Sequence, residues 1–237
     1  MKSRLGMALH LHPPGPTLRT VLLDIDGTLI DSNDAHANAW IGALAEHGYV
    51  VAFDAVRPLI GMGGDKMLPQ LTGLDPESGE AKRIGESRVA LFREMLPGLS
   101  ATPGARQLLE RLRSEGLSLV VATSAKGEEV QGLLEQAGVA DLIEDAASAT
   151  DASESKPDPD IVQAALAKAK SVASHSVLLG DTPYDIEAAN RARVPAIVFR
   201  CGGWWTDGAF VDALGIYDDP LDLASRFEAS PLNWDAL

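Results

Sequence analysis

The sequence predicts a doubly wound parallel α/β fold into which an α-helical segment is inserted. Two observations carry that expectation. Short, unbroken apolar runs alternate with segments of helical period along most of the chain, and one long stretch near the beginning contains no such run. A run that is apolar on both faces suits a strand covered by helices on either side, whereas a half-exposed strand would alternate apolar with polar residues. Alternation of buried strand and helix implies βαβ units, hence parallel pairing.

The first run is Val21-Leu22-Leu23, followed by Ile25 between two aspartates. Three more are residues 117–122 (LSLVVA), 176–179 (SVLL, before Gly180) and 195–199 (PAIVF). A weaker strand is expected at 142–147 and an edge strand at 213–217. Helical periodicity fills the gaps at 104–115, 127–136, 158–170 and 184–193. Residues 31–100 break the rhythm and read as helices at 33–47, 64–71 and 77–95, far more chain than one crossover needs. They are expected to form a separate cap, with hinges at 27–31 and at 96–103 (LPGLSATP), where Gly and Pro mark connections. The α/β core is then 18–30 together with 101–237. Residues 1–17, broken by His10, His12 and the run Pro13-Pro14-Gly15-Pro16, read as a poorly ordered leader. Open α/β sheets bind ligands beyond the carboxyl ends of their strands, so a cap that leaves the first strand there would lie over the site as a lid.

Composition bounds the function. A chain of 237 residues suits one large domain or a core with a smaller insert. Hydrophobic residues at 46% and charged residues at 23% exclude wholesale disorder, collagen-like repeats and coiled coils. The 34 acidic residues outnumber 20 lysines and arginines, and the resulting charge of −14 argues against a nucleic-acid partner or an anionic membrane. A small anionic substrate would need a locally positive pocket or a bound cation. The single cysteine, Cys201, makes no intramolecular disulfide, so a cytoplasmic protein is expected. Neither a secretory apolar segment nor a membrane-spanning run of 18 or more apolar residues is visible in the sequence. A monomer and a homodimer are equally compatible with it.

Chemistry concentrates where the strands end. The first is followed by Asp24-Ile25-Asp26-Gly27-Thr28, the second by Thr123-Ser124, a loop supplies Ser155-Lys156-Pro157, and the fourth apolar run ends in Gly180-Asp181 with Asp185 beyond. In a parallel sheet these residues meet at one edge. Clustered carboxylates without His or Cys suit a hard cation, and Mg²⁺ takes one or two carboxylates together with water and phosphate oxygens. Asp24 and Asp181 are the first ligand candidates. Crowding of carboxylates raises the pKa of one of them, and Asp26 is the candidate proton carrier. A carboxylate nucleophile beside a hydroxyl, a lysine and a metal ion outlines covalent phosphoryl transfer.

Taken in order, DIDGT at 24–28, Thr123 closing an apolar strand, Lys156 before a proline, and GDTPYD at 180–185 resemble the four motifs of the haloacid dehalogenase superfamily. The inserted segment resembles the helical cap of its phosphoglycolate phosphatase and β-phosphoglucomutase branch. The resemblance spans roughly residues 18–220. It implies that Asp24 attacks phosphorus and becomes an aspartyl phosphate, and that Asp26 protonates the leaving oxygen and then activates water. It also implies that the Asp26 backbone carbonyl touches Mg²⁺, that Asp181 binds the metal, and that Asp185 supports it. Gly27 would permit the tight turn after the nucleophile. Thr123 and Ser124 would hold the phosphoryl group, and Lys156 would pair with Asp24 and phosphate. The second aspartate separates this motif from the dehalogenase and phosphonatase branches.

The expected activity is Mg²⁺-dependent hydrolysis of a small phosphate monoester, a phosphorylated metabolite. A β-phosphoglucomutase-like activity is one alternative, suggested by His36 and Trp40 in the first cap helix. The cap loop Ile60-Gly61-Met62-Gly63-Gly64-Asp65-Lys66, however, has glycine where such mutases place an arginine, and only Lys66 is left as a substitute. A second alternative is a non-catalytic phospho-acceptor or binding module. In the cap, His36 falls by periodicity on the solvent or interdomain side of its helix, and Lys66 and Arg57 are candidate readers of a substrate anion. Trp204 and Trp205 are expected to pack rather than to wall the site, and Cys201 to be inert.

Overall fold

The computed structural model describes residues 18–233. The leader assigned to 1–17 and the last four residues of the expected core lie outside that range. Six parallel strands form one sheet: β1 Thr20–Leu23, β2 Ser118–Ala122, β3 Asp145–Ala147, β4 Ser176–Gly180, β5 Ala196–Phe199 and β6 Gly215–Tyr217. Their order is β3-β2-β1-β4-β5-β6, so the chain reverses its direction of winding beside β1. At such a switch point the loops on either side diverge and open a crevice at the carboxyl edge.

Each strand is buried because its side chains feed two helical layers in alternation. Val21 and Leu23 of β1, Leu119 and Val121 of β2, Val177 and Leu179 of β4, and Ile197 and Phe199 of β5 face one apolar cluster. Leu22, Val120, Leu178 and Val198 face the other. The first cluster is covered by α5 (Ala105–Ser114), α6 (Gly127–Gln136) and α9 (Pro220–Ser225), the second by α7 (Asp160–Lys168) and α8 (Pro183–Arg191). Continuous apolar runs are the sequence signature of this two-sided burial.

The cap contains α1 (Asn33–Glu46), α2 (Phe53–Val56), α3 (Gly64–Thr72) and α4 (Gly79–Met95). Ala37, Trp40 and Leu44, spaced so as to share one helix face, pack with Val56, Met67, Leu68, Ala81 and Ile84 into an apolar cluster of the cap's own. The two connections to the core run side by side. The Asp31 amide donates to the Ser100 carbonyl at 2.9 Å, the Thr102 amide to Leu29 at 3.1 Å, and the Thr102 hydroxyl to the Thr28 carbonyl at 2.7 Å.

The expected strands and long helices are present, most helices a residue or two shorter than their periodicity suggests. Two short helices, α2 and α9, were not expected. The start of α9 is nevertheless signalled by Asp219, whose side chain accepts from the Asp222 amide, followed by Pro220 in the first turn. Among the described residues no helix is long and apolar enough to cross a membrane.

Candidate functional site

The switch point gathers the acidic residues. Asp24 follows β1, its amide donating to the Leu179 carbonyl at 2.9 Å, and Asp181 follows β4. Asp185 lies in the first turn of α8, whose N-cap Thr182 forms a reciprocal capping box with it. One Asp185 oxygen, Oδ2, accepts from the Thr182 amide at 3.0 Å and the Thr182 hydroxyl at 2.6 Å. Its other oxygen, Oδ1, accepts from Lys156 Nζ at 2.7 Å, and Lys156 also donates to Asp24 Oδ1 at 2.5 Å. The lysine is wholly buried. Asp185 thus serves at once as a helix cap and as a tether for the lysine.

Ligand oxygens of Asp24, Asp181 and Asp185 lie within 4.8 Å of one another, all three residues buried. Burial, followed by the charges of Asp185 and Asp26, pushes the Asp24 carboxyl up to about 8 against the opposing pull of Lys156. Burial and the charges of Asp185 and Asp24 likewise hold Asp181 well above the usual carboxylate range. Burial alone would lower the Lys156 ammonium, but Asp185 and Asp24 outweigh it and hold it above its ordinary value.

Asp26 departs from expectation in two ways. Its side chain lies outside the carboxylate cluster, and its pKa is lowered rather than raised. Burial alone would raise it, but the neighbouring His36, hydrogen bonds from His36 and Ser32, and the charge of Arg88 together hold it down. The crowding that was expected to lift one carboxyl group lifts Asp24 and Asp181 instead. Ser32 Oγ donates to Asp26 Oδ1 at 2.6 Å, and His36 Nε2 lies 2.7 Å from the same oxygen. Arg88 Nη2 lies 2.6 Å from His36 Nδ1, so the imidazole bridges Asp26 and Arg88. The ring stacks on Phe92 with centroids 3.8 Å apart, and Arg88 continues to Glu129 Oε1 of the core at 2.5 Å. His36 is therefore on the interdomain side of its helix, buried, and not toward solvent.

The other expected residues distribute around this centre. Gly27 has φ +77, and its amide donates to the Ile30 carbonyl at 2.8 Å, closing the tight turn after Asp26. Thr123 is buried at the end of β2, its hydroxyl accepting from the Ala125 amide at 3.0 Å. Ser124 Oγ reaches the Gly61 carbonyl of the cap loop at 3.4 Å, and the Gly63 amide donates to Ser155 Oγ at 3.2 Å. Lys66 is committed to Asp158, with Glu154 at 3.7 Å. Arg57 is buried and occupied by Asp34 at 2.6 Å and by the Gly202 carbonyl. Trp205 packs with the second apolar cluster, as expected, whereas Trp204 is partly exposed and meets Phe53 of the cap edge-on. Cys201 Sγ donates to the Gly27 carbonyl at 3.2 Å, and burial followed by the charge of Asp181 raises its thiol pKa, in keeping with inertness.

Three neighbours were not singled out from sequence: Asn33, which donates to Asp181 Oδ2 at 2.8 Å, Ser32 and Arg88. Ser32 and Asn33 stand in a run of four polar residues, 31–34, at the cap's entry, a usable signal. Arg88 sits in an arginine-rich helix with nothing to distinguish it.

The donor set fits a hard divalent cation. Three buried carboxylates face a single ammonium, two of them pushed toward the neutral form by burial and then by their neighbours' charge, and all offer oxygen. Gly202 and Gly27 line the space, since a methyl group on either would overlap Asp181 Oδ2.

Fold and site together define a capped Rossmann-like enzyme with an acidic centre at its switch point. Comparison with known proteins specifies the family. A profile described as haloacid dehalogenase-like hydrolase matches residues 21–199. A phosphoglycolate phosphatase of Rhodospirillum rubrum is 30% identical over 210 residues, covering 85% of this chain and 87% of its own. A probable phosphatase of Dickeya dadantii is 30% identical over 194 residues, covering 79% and 83%. Among solved structures, a hydrolase from Pseudomonas syringae superposes with a TM-score of 0.83 at 29% identity, covering 89% of this chain and 98% of that one. The chain belongs to the haloacid dehalogenase-like hydrolases, alongside phosphoglycolate phosphatases, and is an enzyme of the phosphatase class.

Proposed function

We propose that the protein is a Mg²⁺-dependent phosphatase that hydrolyses a small phosphate monoester, of the phosphoglycolate or sugar phosphate type, through an aspartyl phosphate on Asp24. The observation that carries this reading is the meeting of Asp24, held by Lys156, with Asp181 and Asp185 in one buried carboxylate cluster at the switch point. Asp24 is held by Lys156 among the carboxylates, and Asp26 is turned to a separate hydrogen-bonded chain. In the metal-free protein the two carboxyl groups are shifted the opposite way from what a nucleophile and a general acid need, Asp24 up and Asp26 down, and a cation on Asp24 would reverse the first of these shifts.

An Asp24 oxygen forms the bond to phosphorus as the bond from phosphorus to the ester oxygen breaks, and Asp26 delivers its proton to the departing oxygen. Asp26 then takes a proton from the water that attacks the phosphoryl group, releasing inorganic phosphate and restoring the Asp24 carboxylate. The donors from Ser32 and His36 both fall on Asp26 Oδ1 and favour its carboxylate form, so the proton delivered in the first step would be taken up from water on Oδ2. Lys156 orients Asp24 and neutralises phosphoryl oxygens, while Thr123 and Ser124 bracket them from β2. Asp24, Asp181 and the Asp26 backbone carbonyl would hold the cation, with Asp185 steadying the set. Mg²⁺, when bound there, would supply the positive charge that lets Asp24, raised to about 8 without it, ionise at neutral pH.

The cap closes the reaction from bulk water and opens for exchange. Its proposed limits, 31–100, are supported by its separate apolar cluster and by the paired connections at either end. A cytoplasmic location belongs to the same reading. Lys66 is engaged by Asp158 and Glu154, so the cap loop offers no free cation of its own for a second phosphate, which favours hydrolysis over mutation of a sugar phosphate.

The test is phosphate release from a panel of monoesters, with Mg²⁺ and with chelator, by the wild type and by Asp24→Asn. Metal-dependent release that disappears in Asp24→Asn is the expected result. Turnover left intact by that substitution would sink the proposal, and interconversion of hexose phosphates without phosphate release would transfer it to the mutase.

A further inference from the structure

We infer that Asn33 is a positioning residue for the cation site, one that fixes the carboxylate of Asp181 from the first residue of the first cap helix. The inference rests on the cation-dependent reading above. Asn33 opens α1, yet its side chain is turned back into the core and is buried. Nδ2 lies 2.8 Å from Asp181 Oδ2 and 3.3 Å from the Gly202 carbonyl oxygen. The Gly202 carbonyl only accepts, as does Asp181 once ionised, so the NH₂ end of the amide faces them. One side chain thereby ties Asp181 to the loop after β5.

The surrounding backbone is shaped to permit this contact. A Cβ at Gly27 would overlap both Asn33 Nδ2 and Asp181 Oδ2, and a Cβ at Gly202 would overlap the Asp181 carboxylate. Two glycines from separate loops thus leave room for one amide–carboxylate pair. The Asn33 Oδ1 atom is buried and has no hydrogen-bond partner among the described residues. An unpaired buried acceptor is costly, and here it lies beside a proposed metal ligand, where a cation-held water is a donor of the right kind. Because asparagine carries no charge, it orients Asp181 without competing for the cation as a lysine would.

Outer groups that orient metal ligands typically change metal affinity 10–100-fold when removed. The test is calorimetric titration of Mg²⁺ into metal-free, full-length wild type, Asn33→Ala and Asn33→Leu, the last of which keeps the side-chain volume but loses the donor. We expect the Mg²⁺ Kd to rise about 10–100-fold in both variants. Substrate KM at saturating Mg²⁺ and the melting temperature of the metal-free protein should stay close to wild type. Wild-type Mg²⁺ affinity in either folded variant overturns the inference and leaves the proposed function standing. A wild type that binds no Mg²⁺ overturns both. If neither variant folds, Asn33 is a core element and the positioning role is refuted.

Discussion

Asp181 illustrates how much of this site is decided within single residues. Its carboxylate occupies a space made by the absence of side chains at Gly27 and Gly202, and it accepts a hydrogen bond from Asn33 at 2.8 Å. Gly202→Ala would drive a methyl group into that carboxylate. Overpacking of this kind costs about 1–3 kcal/mol, and displacement of Asp181 should reduce metal-dependent turnover at least about tenfold, as loss of ligand orientation does. Thermal melting and Mg²⁺-dependence of rate, measured side by side, separate the two effects; normal turnover in a folded Gly202→Ala protein would show that the cradle is not needed. The pairing of Asp24 with Asp26 was legible because the motif prints both residues two positions apart. Their opposite electrostatics were not, because the pKa of each depends on tertiary surroundings outside the motif: burial and the charge of Asp185 raise one, His36 and Arg88 lower the other.

At the scale of elements, the cap is joined to the core by contacts of unequal worth. Lys66 meets Asp158 at a partly exposed rim, where ion pairs contribute about 0–1 kcal/mol and weaken with salt. Arg88 of α4 meets Glu129 of α6 with both side chains about nine-tenths buried, and also holds His36. Removing one partner of a buried pair strands the other charge, at about 3–5 kcal/mol. Urea unfolding should therefore show Arg88→Met strongly destabilised and Lys66→Met within about 1 kcal/mol of wild type. Equal effects would contradict the ranking by burial. Helices α1, α3 and α4 could be read from their apolar period, whereas α2, four residues long, is too short to display one.

For the whole molecule, the excess of carboxylates at the switch point links stability to metal. A ligand bound only by the folded state stabilises it by about 2.7 kcal/mol at a hundred times its Kd, which for a chain of this size is a rise in melting temperature of roughly 5–10 °C. Mg²⁺ should raise the melting temperature and chelator reverse it, with the rise abolished in Asp181→Asn; an unchanged melting curve in saturating Mg²⁺ would tell against a cation in this cluster. The sequence by itself determined the layered α/β architecture, the inserted cap and the acidic residues at the strand ends, because apolar runs and turn residues are local signals that burial and backbone geometry impose directly. Only the tertiary structure decided that Asp26 belongs to a chain running through His36 and Arg88 to Glu129, that Lys66 is spent on Asp158, and that Asn33 reaches Asp181. Those contacts join residues tens to more than a hundred positions apart, and which polar side chains meet depends on how the cap closes against the sheet, a geometry that no local period records.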